Sequence, residues 1–257
     1  MFIHNIDPVL LRLGPFEIRY YGLFFVLGFV IAYFLLHYLV KRKALSITKE
    51  DIADLFLYVI VGTILGARIF YVFVYNPSFY LANPSEIIAI WHGGLSFHGA
   101  LIGAVMAVLI FTKKKKIDFY EIVDIAVIPL ALGLAFGRLG NFTNGELYGR
   151  ITDVPWAFRF PDAEGFRHPS QFYASFKNLL IFFTLWAIKD KKLPKGFMFW
   201  LFVVMYSVLR FTVEFFRQPD PQLGFIIGGL TMGQILSIVM FAAGVYFLRR
   251  IKQLNKE

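Results

Sequence analysis

GRLGNFTNGELYGR, Gly137 to Arg150, follows directly on an apolar segment and sets Arg138, Asn141, Asn144, Glu146 and Arg150 among four glycines. So much charge and amide at the end of an apolar run is costly in hydrocarbon without a purpose. The stretch therefore reads as a membrane boundary that carries function. The rest of the chain reads as a scaffold holding other polar groups beside it.

Composition supports a bilayer as the solvent. Of 257 residues, 58% are hydrophobic, 19% aromatic and 17% charged; soluble domains are about 45–50% apolar and about a quarter charged. Mean hydropathy is +0.64. There is no cysteine, which excludes structural disulfides, a thiolate metal site and a thiol nucleophile borne by the chain itself. The first apolar run is preceded by Glu17 and Arg19 and followed by Lys41-Arg42-Lys43, unlike a cleavable signal peptide.

Seven apolar segments, near 18–40, 54–75, 95–112, 120–138, 171–188, 196–215 and 229–248, approach the roughly 20 residues needed to cross about 30 Å of hydrocarbon. Sorting Lys and Arg to alternate sides puts 16 on one face and six on the other, with four in or at the edge of the apolar segments, accounting for all 26. This asymmetry explains the net charge of +9 without nucleic acid. It also predicts an outside N-terminus and a cytoplasmic C-terminus. The expected fold class is thus an all-α polytopic membrane protein of seven transmembrane helices forming one membrane domain, 1–257, with 141–170 as a small extracytoplasmic cap. Within that cap, WAFRF (Trp156 to Phe160) predicts a short strand. Glycine pairs Gly62/Gly66, Gly99/Gly103 and Gly133/Gly137 have the spacing of close helix packing, predicting a tight group of the second, third and fourth helices. Gly93, Gly94, Gly140, Gly145 and Gly149 read as backbone turns.

The topology sets depths at about 1.5 Å per residue. His98 and Tyr21 fall roughly 5 Å below the outer boundary, Arg210 roughly 8 Å and Arg68 roughly 10 Å, with Arg138 closing the fourth helix. Five polar groups from five helices share the outer-leaflet slab, the depth of a phospholipid phosphate. Taken singly, each has a plain alternative. An arginine near a helix end snorkels to headgroups, Arg210–Glu214 is an i, i+4 ion pair on a face shared with Tyr206, and a lone histidine is an interior hydrogen-bonding group. Taken together, guanidiniums and an imidazole at one depth suit an anionic lipid, since Arg grips phosphate bidentately and keeps its charge. His92 and His98, six apart, do not make a helical metal pair, so neither a metal nor a cofactor is expected. The residues alone stop at a protein that acts on, or carries, an anionic outer-leaflet phospholipid.

The motifs go further. GRLGNFTNGELYGR, RYYG (Arg19–Gly22), GGLSFHG (Gly93–Gly99), HPSQFY (His168–Tyr173) and RFTVEFFRQPD (Arg210–Asp220), in this order, closely resemble the bacterial prolipoprotein diacylglyceryl transferase family over nearly the whole chain. The resemblance implies a plasma (inner) membrane enzyme with its active site on the extracytoplasmic side. It would move the diacylglyceryl group of phosphatidylglycerol onto the lipobox cysteine of a preprolipoprotein signal peptide, releasing glycerol phosphate. By motif position Tyr21, His98, Arg138, Asn141, Glu146, Gly149, Arg210 and Glu214 match the family's functional residues. His98 would then be the base, Arg138 and Arg210 the phosphate ligands, with Asn141, Glu146, Gly149, Glu214, Tyr206 and Arg68 around the substrate. The chain departs from the family pattern at Ala174, where a Glu commonly follows the HPSQFY-like tyrosine; Lys177 stands nearby. The rival readings are an outer-leaflet phospholipid or small-molecule transporter, and an intramembrane protease built on Ser96 and His98.

Overall fold

The structure, a computed structural model, describes residues 1–14, 16–219, 224–226 and 228–254, together with the backbone but not the side chain of Phe97. Asp220 of the last motif and Lys256 of the basic tail lie outside the described residues. The fold is mostly helical: α1 (Tyr20–Arg42), α2 (Lys49–Phe70), α3 (Pro77–Ala82), α4 (Phe97–Lys115), α5 (Phe119–Thr143), α6 (Ser170–Ile188), α7 (Phe197–Glu214) and α8 (Met232–Leu254). Five described segments are long and apolar enough to cross a membrane: Tyr20–Arg42, Lys49–Tyr75, Phe119–Thr143, Phe197–Glu214 and Met232–Leu254. The chain divides into two compact units, one of Met1–Leu39 with Val123–Glu257 and the other of Val40–Ile122.

Within the Val40–Ile122 unit, local chemistry fixes each helix start. Thr48 and Asp51 exchange side chain-to-backbone bonds of 3.0 and 3.1 Å, a reciprocal cap that satisfies two donors at the start of α2. Ser96 Oγ accepts the Gly99 N–H at 3.2 Å and so starts α4. Lys113, Lys114 and Lys115 stand in the last turn of α4, where cations favour the helix dipole. The two helices pack backbone to backbone through the predicted glycines. A Cβ on Gly62 would lie 2.6 Å from Ala107 Cβ, and one on Gly66 would lie 2.7 Å from Gly103 Cα. A single turn of wider helix, Tyr71–Tyr75, then carries α2 onward.

The other unit contains α1 and α5 to α8. Here a further glycine contact appears. Gly133 of α5 faces Gly28 of α1, whose added Cβ would lie 3.5 Å from Gly133 Cα. Its small surface meets the first helix. Asp124, inside α5, accepts the N–H groups of Gly196 and Phe199 at 2.6 and 2.8 Å, capping α7 from a neighbouring helix. α8 begins with a cap formed by Thr231 and Gln234: Gln234 Oε1 accepts the Thr231 N–H at 3.0 Å. The sheets are small. β1 (Phe2–Ile3) pairs in parallel with β4 (Phe158–Arg159), the strand predicted within WAFRF, while β2 (Val9–Leu13) and β3 (Phe16–Arg19) make an antiparallel hairpin. His4, which carried no signal in the sequence, is buried and hydrogen-bonded to the Phe142 carbonyl at 2.7 Å, so the N-terminus is sewn to the end of α5.

α5 runs farther than its apolar pattern predicts. It continues past Arg138 through Asn141 to Thr143. Gly140 does not break it, because its missing side chain makes room for Tyr21 of α1: a Cβ there would lie 2.9 Å from Tyr21 Cδ2. The stop comes at Gly145, whose φ of +70° is the left-handed conformation that ends helices. Residues 141–143 of the expected cap are therefore helical, and Gly140 is a packing glycine rather than a turn.

Candidate active site

Because α5 continues, Arg138 and Asn141 share one helix face a turn apart. Asn141 is buried, its Oδ1 accepts from Arg138 Nη1 at 3.1 Å, and its Nδ2 donates to Glu146 Oε1 at 2.8 Å. The amide thus faces both ways: oxygen toward the cation, nitrogen toward the carboxylate. The loop that carries Glu146 is held from α6. Gln171 Nε2 donates to the Glu146 carbonyl at 2.7 Å and Ser170 Oγ to the Leu147 carbonyl at 2.8 Å. HPSQFY therefore acts through its buried Ser170 and Gln171, and Leu147 adopts a φ of +58° in the turn they fix.

Gly149 lies where two backbone segments meet. Its N–H donates to the His168 carbonyl at 2.9 Å, and a Cβ would fall 2.5 Å from the Phe216 carbonyl and 2.6 Å from His168. Gly149 contributes by lacking a side chain, which lets this crossing close.

A second charged group is built on α7. Arg210 Nη1 pairs with Glu214 Oε2 at 2.5 Å, as the i, i+4 spacing predicts, and Glu214 is 2% exposed. Its other oxygen accepts from Thr231 Oγ1 at 2.9 Å and lies 3.6 Å from Arg217 Nη1. Thr231 and Gly233, at the start of α8, escaped the sequence reading. A Cβ on Gly233 would lie 2.9 Å from Glu214 Oε1 and 3.0 Å from Arg210 Nη2, so glycine there lets the helix end approach the ion pair.

Arg138, Arg210 and Tyr206 line one small cavity of about 20 Å³, with Lys177, Arg217 and the Ser170–Gln171 pair also on its wall. The cavity has room for about one water and is lined by four basic side chains, Arg138, Arg210, Arg217 and Lys177. Tyr21 packs against α5 at Gly140.

Arg68 and His98 belong to the other unit. Arg68 is buried, and its five N–H groups face five loop carbonyls: Glu86, Ile87, Ala89, Gly93 and Gly94, at 2.5–3.1 Å. The guanidinium is thereby occupied in shaping the loop that enters α4, where Gly93 and Gly94 have φ of +84° and +73°. His98 stands in the first turn of α4, with Nδ1 3.2 Å from Tyr75 Oη. Tyr75 was invisible as a partner because the wide turn that positions it has no period in the sequence. Ser96, the rival nucleophile, is engaged as the α4 cap.

The helical fold thus brings two half-buried arginines, one braced by an amide and the other by a carboxylate, to the wall of one cavity, an arrangement suited to an anion. Comparison with known proteins makes this particular. The family model for prolipoprotein diacylglyceryl transferase matches residues 8–250. The chain is 46% identical over 243 residues to the phosphatidylglycerol–prolipoprotein diacylglyceryl transferase of Geobacter sulfurreducens, covering 94% of each chain. It is 45% identical to that of Bordetella avium over 93% of this chain and 92% of the relative. Against that of Nitratidesulfovibrio vulgaris it is 42% identical over 95% and 94%. The chain belongs to the prolipoprotein diacylglyceryl transferase family, a family of enzymes.

Proposed function

We propose that this protein transfers the diacylglyceryl group of phosphatidylglycerol to the lipobox cysteine of preprolipoproteins. The observation that carries this reading is the pocket lined by basic side chains, in which Arg138 is aimed by Asn141 and Glu146, and Arg210 by Glu214. The substrate thiol attacks the glycerol C3 carbon, the S–C bond forms, the C–O bond to phosphate breaks, and glycerol phosphate departs with the electron pair. Arg138 and Arg210 hold the phosphate and stabilise the charge it gains. A thiol has a pKa near 8.5 and needs help to become a thiolate; His98 serves as the base. In the tautomer whose Nδ1–H donates to Tyr75 Oη, 3.2 Å away, Nε2 would be the ring's basic nitrogen. Tyr206 walls the pocket, Tyr21 donates to the lipid or leaving group, Arg68 shapes the approach to His98, and Gly149 closes the backbone crossing beside Glu146.

The reading extends to seven spans, the five above with α4 and α6 (19 residues each) completing the set. It further places one membrane domain in the bacterial plasma membrane, N-terminus out and C-terminus in, with the 144–169 stretch as an extracytoplasmic cap. Purified protein in detergent, given labelled phosphatidylglycerol and a lipobox peptide, should label the peptide on its cysteine, and phosphatidylethanolamine should not replace the lipid. Detergent abolishes vectorial transport, so labelling separates this reading from a transporter. An unlabelled peptide with folded protein would refute it.

A further inference from the structure

Lys177, on α6, is a basic side chain that the roles above leave without a task. It is 4% exposed. Its Nζ donates to Asn178 Oδ1 at 2.7 Å and sits 3.7 Å from the centre of the Tyr206 ring. It lines the same cavity as Arg138 and Arg210. Burying a long cationic side chain is costly unless its charge is matched, yet among the described residues no carboxylate lies within ion-pair distance of it. The pocket's other groups do not resolve this: Glu214 is held by Arg210 at 2.5 Å and shared with Arg217 at 3.6 Å, and Arg138 meets its carboxylate only through Asn141. An amine has three donors. One is used on Asn178, and the ring covers one side, which leaves donor capacity directed to the cavity.

We propose that Lys177 is a catalytic residue that binds the phosphate oxygen freed when the C–O bond breaks. The inference rests on the transferase reading and deepens it. A phosphatidylglycerol diester carries one negative charge, whereas the departing glycerol phosphate carries two. Among the described residues, the pocket holds two basic side chains without a directly paired carboxylate, Arg138 and Lys177. Arg138 matches the charge present in the substrate, and Lys177 matches the charge that appears as the electron pair moves onto the bridging oxygen. A contact that strengthens as charge develops accelerates the step rather than tightening lipid binding.

The test uses full-length protein in detergent. Glycerol phosphate, a dianion, should inhibit transfer and raise the melting temperature of the wild-type protein at concentrations at least about tenfold lower than its methyl ester, a monoanion. Lys177→Met should lower kcat about tenfold or more, change the KM for phosphatidylglycerol by less than about twofold, and remove the preference for the dianion. Lys177→Arg, which keeps a cation, should retain part of both. Equal binding of dianion and monoanion by wild-type protein would overturn the proposal whether or not the variants fold. So would a Lys177→Met enzyme with normal kcat, or one whose loss lies in KM alone. Failure of wild-type protein to lipidate the peptide would instead refute the transferase reading, and the melting-temperature comparison would still decide whether the pocket prefers a dianion.

Discussion

At the scale of single residues, the most informative side chain is Asn141. An amide presents an acceptor and a donor on opposite edges, so it can join a cation to a carboxylate without carrying charge. Its bonds to Arg138 and Glu146 do this at 3.1 and 2.8 Å. Hydrogen bonds to charged groups are worth about 1.5–3 kcal/mol, so Asn141→Ala should slow transfer about 10- to 100-fold. Glu146→Gln keeps an oxygen acceptor for the amide and should lose less than Glu146→Ala, which should approach Asn141→Ala. Initial rates of peptide lipidation for the three variants check this order; equal losses for Glu146→Gln and Glu146→Ala would contradict it. The Arg210–Glu214 pair was readable from i, i+4 spacing, and the Asn141 link was not. Reading it requires knowing that α5 passes through Gly140, which depends on Tyr21, over a hundred residues earlier in the chain.

At the scale of elements, the segment between α5 and α6 is held by a chain of side-chain bonds. Trp156 Nε1 donates to Tyr173 Oη at 2.7 Å, and Tyr173 Oη meets His168 Nδ1 at 3.1 Å. With Trp156 as donor to the phenol, the phenol's own proton goes to Nδ1, which requires a neutral imidazole. Burial also pushes the His168 pKa below its usual 6.5. The unfolded chain then binds more protons than the folded one in the window below 6.5, so stability should rise with pH there and be lost as pH falls through it. Melting temperatures between about pH 5 and pH 7 should show this slope, and His168→Gln should flatten it; an unchanged slope in the variant would contradict the assignment. The apolar segments located all the long helices among the described residues, since runs of apolar residues need no tertiary information. Helix ends were less legible: Gly145 rather than Gly140 stops α5, and both are glycine in the sequence. Only the positive φ of one and the close neighbour of the other tell them apart.

At the scale of the whole molecule, the glycine pairs illustrate what spacing conveys. Small-x-x-x-small predicts a close approach but not the partner. Gly62 and Gly66 found Gly99 and Gly103, as adjacency in the chain favours, whereas Gly133 found Gly28. The functional motifs behave in a similar way. GRLGNFTNGELYGR, HPSQFY and the Arg210 motif are separate in sequence, and all three supply walls or supports of one cavity. Ser170 and Gln171 could not be ranked from the sequence because they act on backbone carbonyls, which leave no sequence pattern. The central claim is that the basic side chains around this cavity grip a phosphate and that their grip matters most as the C–O bond breaks. Its most direct test is single-turnover transfer from labelled phosphatidylglycerol to a lipobox peptide by purified Arg210→Lys protein. Lysine keeps the charge but loses the planar fork that pairs with Glu214 and phosphate together. A fall in the transfer rate of about 10-fold or more, with the lipid still bound, is the predicted result; a normal rate would contradict the account.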